Sequence, residues 1–416
     1  MTKKDDSLME KIEFLNNGSV TSVPGFLAAG VTAGFKKSGA PDFALVYSET
    51  PASFSGVFTS CTFAAAPVLL GREKVRQGGT LRAFAINSGN ANACTGAQGL
   101  ENARKSCDIA AAKLNVPASD VVVASTGRIG VQMDMSLIER GFELAVPALS
   151  AQGGNDASRA IMTTDTVPKS VAVKIRINGI DVTIGAMTKG AGMIDPKLIA
   201  PHATMLCCIT TDADVDNEVL AGLLLPCAQD SFNRITVDGD MSTNDTVIIM
   251  ANGRSKVKIV PGSVEYDLFR EALLTVMQKL AREMVMDGEG ATKFVTVKVV
   301  NARRREDAVL AAEAVANSLL CKTAWFGNDP NWGRVVAALG YSGAEFDPAK
   351  CNIFYDETPV VRNGGDAGTP ECDLLDVVKK REFVITCDFG EGDEEYWVWS
   401  SDLSHEYVTI NADYHT

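Results

Sequence analysis

Residues 171–187, VAVKIRINGIDVTIGAM, alternate apolar and polar side chains on both sides of Asn178-Gly179. A period of two marks half-buried strands, and Asn-Gly provides the pair of positive-φ residues that a tight hairpin turn needs. This hairpin constrains the fold most, because it fixes one antiparallel strand pair. Around it the period changes. NARKSCDIAAAKLN (102–115) has helical spacing, and DVVVAS (120–125) reads as a buried strand. EYDLFREALLTVMQKLAREMV (265–285) is the longest amphipathic helix, followed by a strand, KFVTVKVV (293–300). AVLAAEAVANSLL (308–320) predicts another helix and REFVITCDF (381–389) another strand. Strands interleaved with helices imply a layered domain, α/β or α+β, and periodicity leaves the choice open.

A chain of 416 residues can bury a large core and forms more than one structural unit. Its balance of 39 Lys+Arg against 52 Asp+Glu, a net charge of -13, argues against nucleic acid, whose binding depends on neutralising phosphates. The same charge favours attraction of a cationic small molecule. The amino terminus, MTKKDDSLMEKIEF, mixes both signs and lacks the apolar segment of a secretory signal. No apolar run approaches the roughly 20 residues of a membrane span. Ten scattered cysteines without a C-x-x-C pair, two of them in the apolar run at Cys207-Cys208, predict reduced thiols and a cytoplasmic location. With three histidines in the chain, His202, His405 and His415, no metal site is expected.

Several catalytic devices are missing. There is no phosphate-binding G-x-x-x-x-G-K-[ST], and no G-x-G-x-x-G follows a strand. DGDMSTNDTVII (238–249) starts like a calcium loop but has Thr243 in place of the glycine and Ile249 in place of the closing glutamate, so it reads as a polar turn. A Ser-His-Asp triad is improbable with so few histidines. Thr204, in PHATMLCCITTDA (201–213), stands at the mouth of an apolar run. By itself it is a β-branched residue opening a strand. It can also act without imidazole: if the chain is cut between Ala203 and Thr204, the new α-amine, with a pKa of about 7.7 to 8.0, can serve as the base. Acyl chemistry needs oxyanion donors. VVVASTGRIG (121–130) offers Thr126 and Gly127 at a strand end, against the simpler reading of an ordinary glycine turn. Lys189, in TKGAGMIDP, and Glu289, in DGEGATK, stand in glycine-flanked turns where such charges are ordinarily solvated.

NSGNANACTG (87–96), STGRIG (125–130), IMTTDTVPK (161–169), KGAGMI (189–194), ATMLCCITTDA (203–213), DGDMSTNDT (238–246), DGEGATK (287–293) and INADYHT (410–416) occur in one order along the chain. In these motifs, and over nearly its whole length, the chain resembles the glutamate N-acetyltransferases (ornithine acetyltransferases) of arginine biosynthesis. The resemblance implies an αββα-type sandwich shared with the aminopeptidase DmpA. It implies self-cleavage into an α chain, residues 1–203, and a β chain, residues 204–416, which remain together as an α2β2 heterotetramer. Thr204 then matches the nucleophile, and Thr126 and Gly127 match the oxyanion hole. Thr163, Lys189, Thr204, Glu289, Asn411 and Thr416 match the substrate-contacting positions. The stretch DPKLIAPHAT carries extra residues ahead of the cut relative to the family, and His415 stands where arginine is common.

The reaction implied is ping-pong. Thr204 takes acetyl from N2-acetyl-L-ornithine, releases ornithine and passes the acetyl group to L-glutamate. No cofactor is expected, and acetyl-CoA as a second donor is left open. The alternatives are an N-terminal-threonine aminopeptidase or amidase that uses water as acceptor, and an uncleaved protein that only binds amino acids.

Overall fold

A computed structural model describes residues 12–197 and 205–413. Its strands are β1 (Ile12–Phe14), β2 (Phe26–Val31), β3 (Phe43–Phe58), β4 (Leu81–Asn90), β5 (Val121–Arg128), β6 (Lys169–Ile177), β7 (Ile180–Lys189), β8 (Leu206–Thr211), β9 (Ile235–Thr236), β10 (Thr246–Ala251), β11 (Phe294–Ala302), β12 (Asn352–Tyr355), β13 (Thr358–Arg362), β14 (Gly365–Asp366), β15 (Glu382–Asp388) and β16 (Glu394–Ser401). Among the described residues they form a nine-stranded sheet, β1-β6-β7-β8-β10-β3-β4-β5 with β2 beside β3, and a seven-stranded sheet, β14-β13-β12-β15-β11-β16-β9.

The predicted hairpin is β6–β7, with Ile177 opposite Ile180 and a two-residue turn at Asn178 (φ 52°) and Gly179 (φ 80°). The long strand β3 folds the nine-stranded sheet back on itself. Its first half pairs with β2 and β4, and its second half, Ser53–Phe58, pairs with β10. The register shifts between Tyr47 and Ala52, around Pro51, where a proline cannot donate to the ladder.

Side-chain alternation then defines four layers. Cys208, Leu206, Ile248 and Met250 meet Val46, Phe84, Ile86 and Val122 between the two halves of the sheet. Cys207, Ile209, Val247 and Ile249 point the other way, onto the helices Asn217–Gln229 and Val264–Met286. Leu45, Ala83, Ala85 and Val121 face the helices Gly96–Leu114 and Met135–Ala148. This is the αββα sandwich, and it resolves the choice that periodicity left open. Strands covered on both faces read as unbroken apolar runs, which is why residues 205–209 show no alternation.

The second sheet packs one face against the helices Arg305–Ala316, Leu319–Phe326, Trp332–Tyr341 and Glu371–Val378. Here the single helix expected over 308–320 is two. The chain breaks at Asn317-Ser318, and Ser318 caps the second helix by accepting a hydrogen bond from the Cys321 amide at 3.3 Å. Asn317 has its own use, since its Oδ1 accepts the Thr236 hydroxyl at 2.6 Å. All ten cysteines are free. Among the described residues no helix is long and apolar enough to cross a membrane.

Strand β8, on the carboxyl side of Ala203-Thr204, lies inside the nine-stranded sheet, antiparallel to β7 and parallel to β10. The segments before and after residue 204 therefore share one ladder and one core. Ala203 and Thr204 themselves lie outside the described residues.

Candidate active site

The site begins where β4 and β5 end side by side. They run parallel, with Ser88 opposite Thr126 and Gly89 opposite Gly127. Gly127 has φ 124°, and a Cβ there would lie 2.5 Å from the Gly89 carbonyl carbon. Only glycine allows the two strand ends to approach this closely. The Asn244 amide, in the loop before β10, donates to the carbonyls of Ala91 at 2.6 Å and Ser125 at 2.7 Å. On the other side the Ser125 hydroxyl donates to Asn87 Oδ1 at 2.6 Å. The strand end carrying Thr126 is thus held on both sides by buried polar groups, which is how a site keeps donors aimed without reorganisation.

Lys189 is the last residue of β7 and is buried, unlike the ordinary solvated lysine of a glycine-flanked turn. Burial pulls its ammonium below the ordinary value, opposed by the nearby charge of Asp165. Its Nζ lies 3.5 Å from Thr126 Oγ1, a long contact in which the threonine accepts and keeps its own hydrogen free. Asp165 accepts from Lys169 Nζ and from the Gly190 amide, each at 2.7 Å, and from the Thr163 amide at 3.0 Å. Burial raises the Asp165 carboxyl, but Lys189, Lys169 and these hydrogen bonds outweigh it and hold it at about 2. Lys169, wholly buried, also bonds Asp287 at 2.5 Å. One carboxylate, Asp165, therefore fixes both the loop carrying Thr163 and the start of the segment after Lys189.

Glu289 is buried as well, against the solvated turn acid that its glycine-flanked setting predicted. The helix Val264–Met286 packs its apolar side, Leu273, Met277, Leu280 and Met284 among others, on the sheet and stops at Asp287. The turn that follows binds back, the Glu289 amide donating to the Ala191 carbonyl at 2.9 Å. A Cβ at Gly192 would meet the Glu289 carboxyl at 2.4 Å, so the glycine leaves room for it. Asn411, on the helix His405–Asp413, donates to Glu289 Oε2 at 2.7 Å. The polar turn expected at 238–249 ends where β10 begins at Thr246, and its first residues anchor this side too. Asp238 accepts from the amides of Met193 at 2.6 Å and Ile194 at 2.8 Å and from the Tyr407 hydroxyl at 3.2 Å.

Thr126, Gly127, Thr163, Lys189, Glu289 and Asn411 all line one open cleft of about 130 Å³. Six residues spread over nearly 300 positions of sequence converge on it. Met205, bonded through its nitrogen to Thr204, lines the same cleft. Thr204, Ala203 and Thr416 lie outside the described residues. The sequence reading missed Asn244 and Asp245 as part of the lining, and Asp165 and Lys169 as its support. The signal was present, since all four fall inside motifs that carried the resemblance, but nothing local distinguishes a buried aspartate from a turn residue. Among the described residues no group of three His, Cys, Asp or Glu could hold a metal ion.

A sequence model of the ArgJ family matches residues 27–416. The arginine biosynthesis bifunctional protein ArgJ of Symbiobacterium thermophilum is 46% identical over 402 residues, covering 96% of this chain and 99% of the relative. The glutamate N-acetyltransferase of Methanocaldococcus jannaschii is 44% identical over 410 residues, covering 96% of this chain and 99% of its own. Among solved structures, the ornithine acetyltransferase of Mycobacterium tuberculosis complexed with ornithine is 42% identical, covering 45% of this chain and 100% of that chain, with a TM-score of 0.43. With relatives that are arginine-biosynthesis enzymes and a glutamate N-acetyltransferase, the chain is an enzyme of the acyltransferase class. The chain belongs to the ArgJ family.

Proposed function

We propose that this chain transfers acetyl from N2-acetyl-L-ornithine to L-glutamate in arginine biosynthesis, through an acetyl ester on Thr204. The observation that carries the reading is the convergence of Thr126, Gly127, Thr163, Lys189, Glu289 and Asn411 on one cleft that also reaches Met205. Cleavage after Ala203 frees the Thr204 α-amine, which takes the hydroxyl proton as that oxygen attacks the acetyl carbonyl. The Thr126 hydroxyl and the Gly127 amide stabilise the oxyanion. Ornithine leaves with the proton; the neutral amine of glutamate then attacks the ester, its proton passes through the α-amine to the departing Thr204 oxygen, and N-acetylglutamate is released. Glu289, oriented by Asn411, pairs with the cationic end of ornithine, and Lys189 with a substrate carboxylate. Thr163 and Thr416 complete the substrate contacts.

On this reading the α chain is residues 1–203 and the β chain residues 204–416. The sheet they share supports their staying together after the cut, and in this reading they pair into an α2β2 assembly in the cytoplasm. No cofactor enters this scheme, and acetyl-CoA as a second donor is left open. An aminopeptidase would use the same groups with water as acceptor. The deciding experiment gives the purified protein N2-acetyl-L-ornithine alone. The transferase releases about one equivalent of ornithine per site and then stalls until L-glutamate is added. Steady release at the same rate without glutamate would overturn the reading.

A further inference from the structure

Among the described residues lining the cleft, Asp245 is the titratable one that the reaction above leaves unused. It precedes β10, and the amide of the next residue, Thr246, donates to the Met205 carbonyl at 2.5 Å. Its side chain is almost completely buried. Thr59 and Ser242 hydrogen-bond the carboxyl, yet Oδ2 has no partner among the described residues. Buried polar oxygens are rarely left without a partner, and one that lines a binding cleft points to a partner that arrives with the ligand.

The charge around it decides what kind of partner. Two buried lysines, Lys169 and Lys189, already serve the carboxylates of Asp165, Asp287 and Glu289. Lys189, on β7, and Cys61, in the loop after β3, are the charged or titratable groups that act most on Asp245. An ionised Asp245 would add a fourth carboxylate against two lysines at a position buried from water, where an unpaired charge is costly. Retaining the proton removes that cost and makes Oδ2 a donor. Burial also pushes this carboxyl well above the usual range, with Lys189 opposing. A neutral acid and an ammonium lining one cleft are both donors, so together they suit an anion.

We propose that Asp245 keeps its proton in the working enzyme and donates it as a hydrogen bond to the α-carboxylate that N2-acetyl-L-ornithine and L-glutamate have in common. Lys189 supplies the charge of this carboxylate site, and Asp245 supplies a directed, uncharged donor. The inference rests on the proposed reaction, and a failure of that reaction shows in the wild-type enzyme, which then makes no N-acetylglutamate.

The test compares Asp245→Asn, which keeps a neutral donor at this position, with Asp245→Ala, which removes it. Loss of a hydrogen bond to a charged group should raise KM about tenfold to a hundredfold for both substrates in Asp245→Ala, while Asp245→Asn stays within about fivefold of wild type. Infrared spectroscopy reads the proton without turnover. A carboxylic-acid carbonyl band should be present in wild type near neutral pH, absent in Asp245→Asn, and shifted when ornithine binds. Equal losses in the two variants with no acid band would overturn the proposal in favour of a working carboxylate. An unchanged KM in Asp245→Ala would remove the contact altogether, and a rise confined to glutamate would overturn the choice of the α-carboxylate.

Discussion

Asn244 donates to the Ser125 carbonyl at 2.7 Å, tying the loop ahead of β10 to the strand end that carries Thr126. The bond spans 119 residues of sequence and joins the segment before Thr204 to the segment after it. Whether or not the chain is cut, the strand end carrying Thr126 is held by a side chain from the far part of the molecule. Asn244→Ala leaves the buried carbonyls of Ser125 and Ala91 without that donor. The variant should lose about 1–3 kcal/mol of stability per unsatisfied group and lower kcat more than it raises KM, read from urea unfolding and steady-state kinetics. A normal kcat with reduced stability would make the bond purely structural.

Self-cleavage is checked by intact mass and amino-terminal sequencing. Two fragments of 203 and 213 residues are expected, the second starting Thr-Met-Leu. Thr204→Ala should stay whole and inactive. A chain that remains whole while fully active would rule out the α-amine as base.

Thr126→Ala should lower kcat by about a hundredfold or more with the fold intact, the usual scale for one lost oxyanion donor. A change in KM alone would assign Thr126 to ground-state binding.

The Asp165–Lys169 pair predicts a specific pH response. The Asp165 carboxyl is held at about 2, below its ordinary 3.8. A depressed folded-state value means stability that is present above the unfolded value and lost as pH falls through the folded one. The loss therefore falls between about pH 4 and about pH 2, with a magnitude of about 2 kcal/mol. Urea unfolding across this window should show it. Asp165→Asn should be less stable near neutrality and show a smaller fall. An equal fall in the variant would place the acid sensitivity elsewhere.

Glu289→Gln should weaken binding of N2-acetyl-L-ornithine while leaving chain cleavage nearly intact, because a carboxylate facing an ammonium contributes through its charge. Titration of ornithine into the processed variant measures this directly. Loss of cleavage in the same variant would mean that Glu289 supports the fold of the segment around Gly192.

By itself, the sequence determined the local pieces: the Asn178-Gly179 hairpin, the long helix ending before Asp287, the buried strand after residue 205, and the order of motifs that marks the family. These follow from short-range rules, because turn chemistry and side-chain period act over a few residues. Only the tertiary structure decided which face each side chain meets. Cys207 and Cys208 are neighbours in one apolar run, yet one packs on a helix layer and the other between the halves of the sheet. It also decided that Lys189 and Glu289 are buried rather than solvated, and that Asp165, Asn244 and Asp245 belong to the site. A turn aspartate and a buried one have the same local sequence signature. What separates them is the low-dielectric surroundings and the distant partners, Lys169, Lys189 and the strand ends, that the folded sheet brings against them.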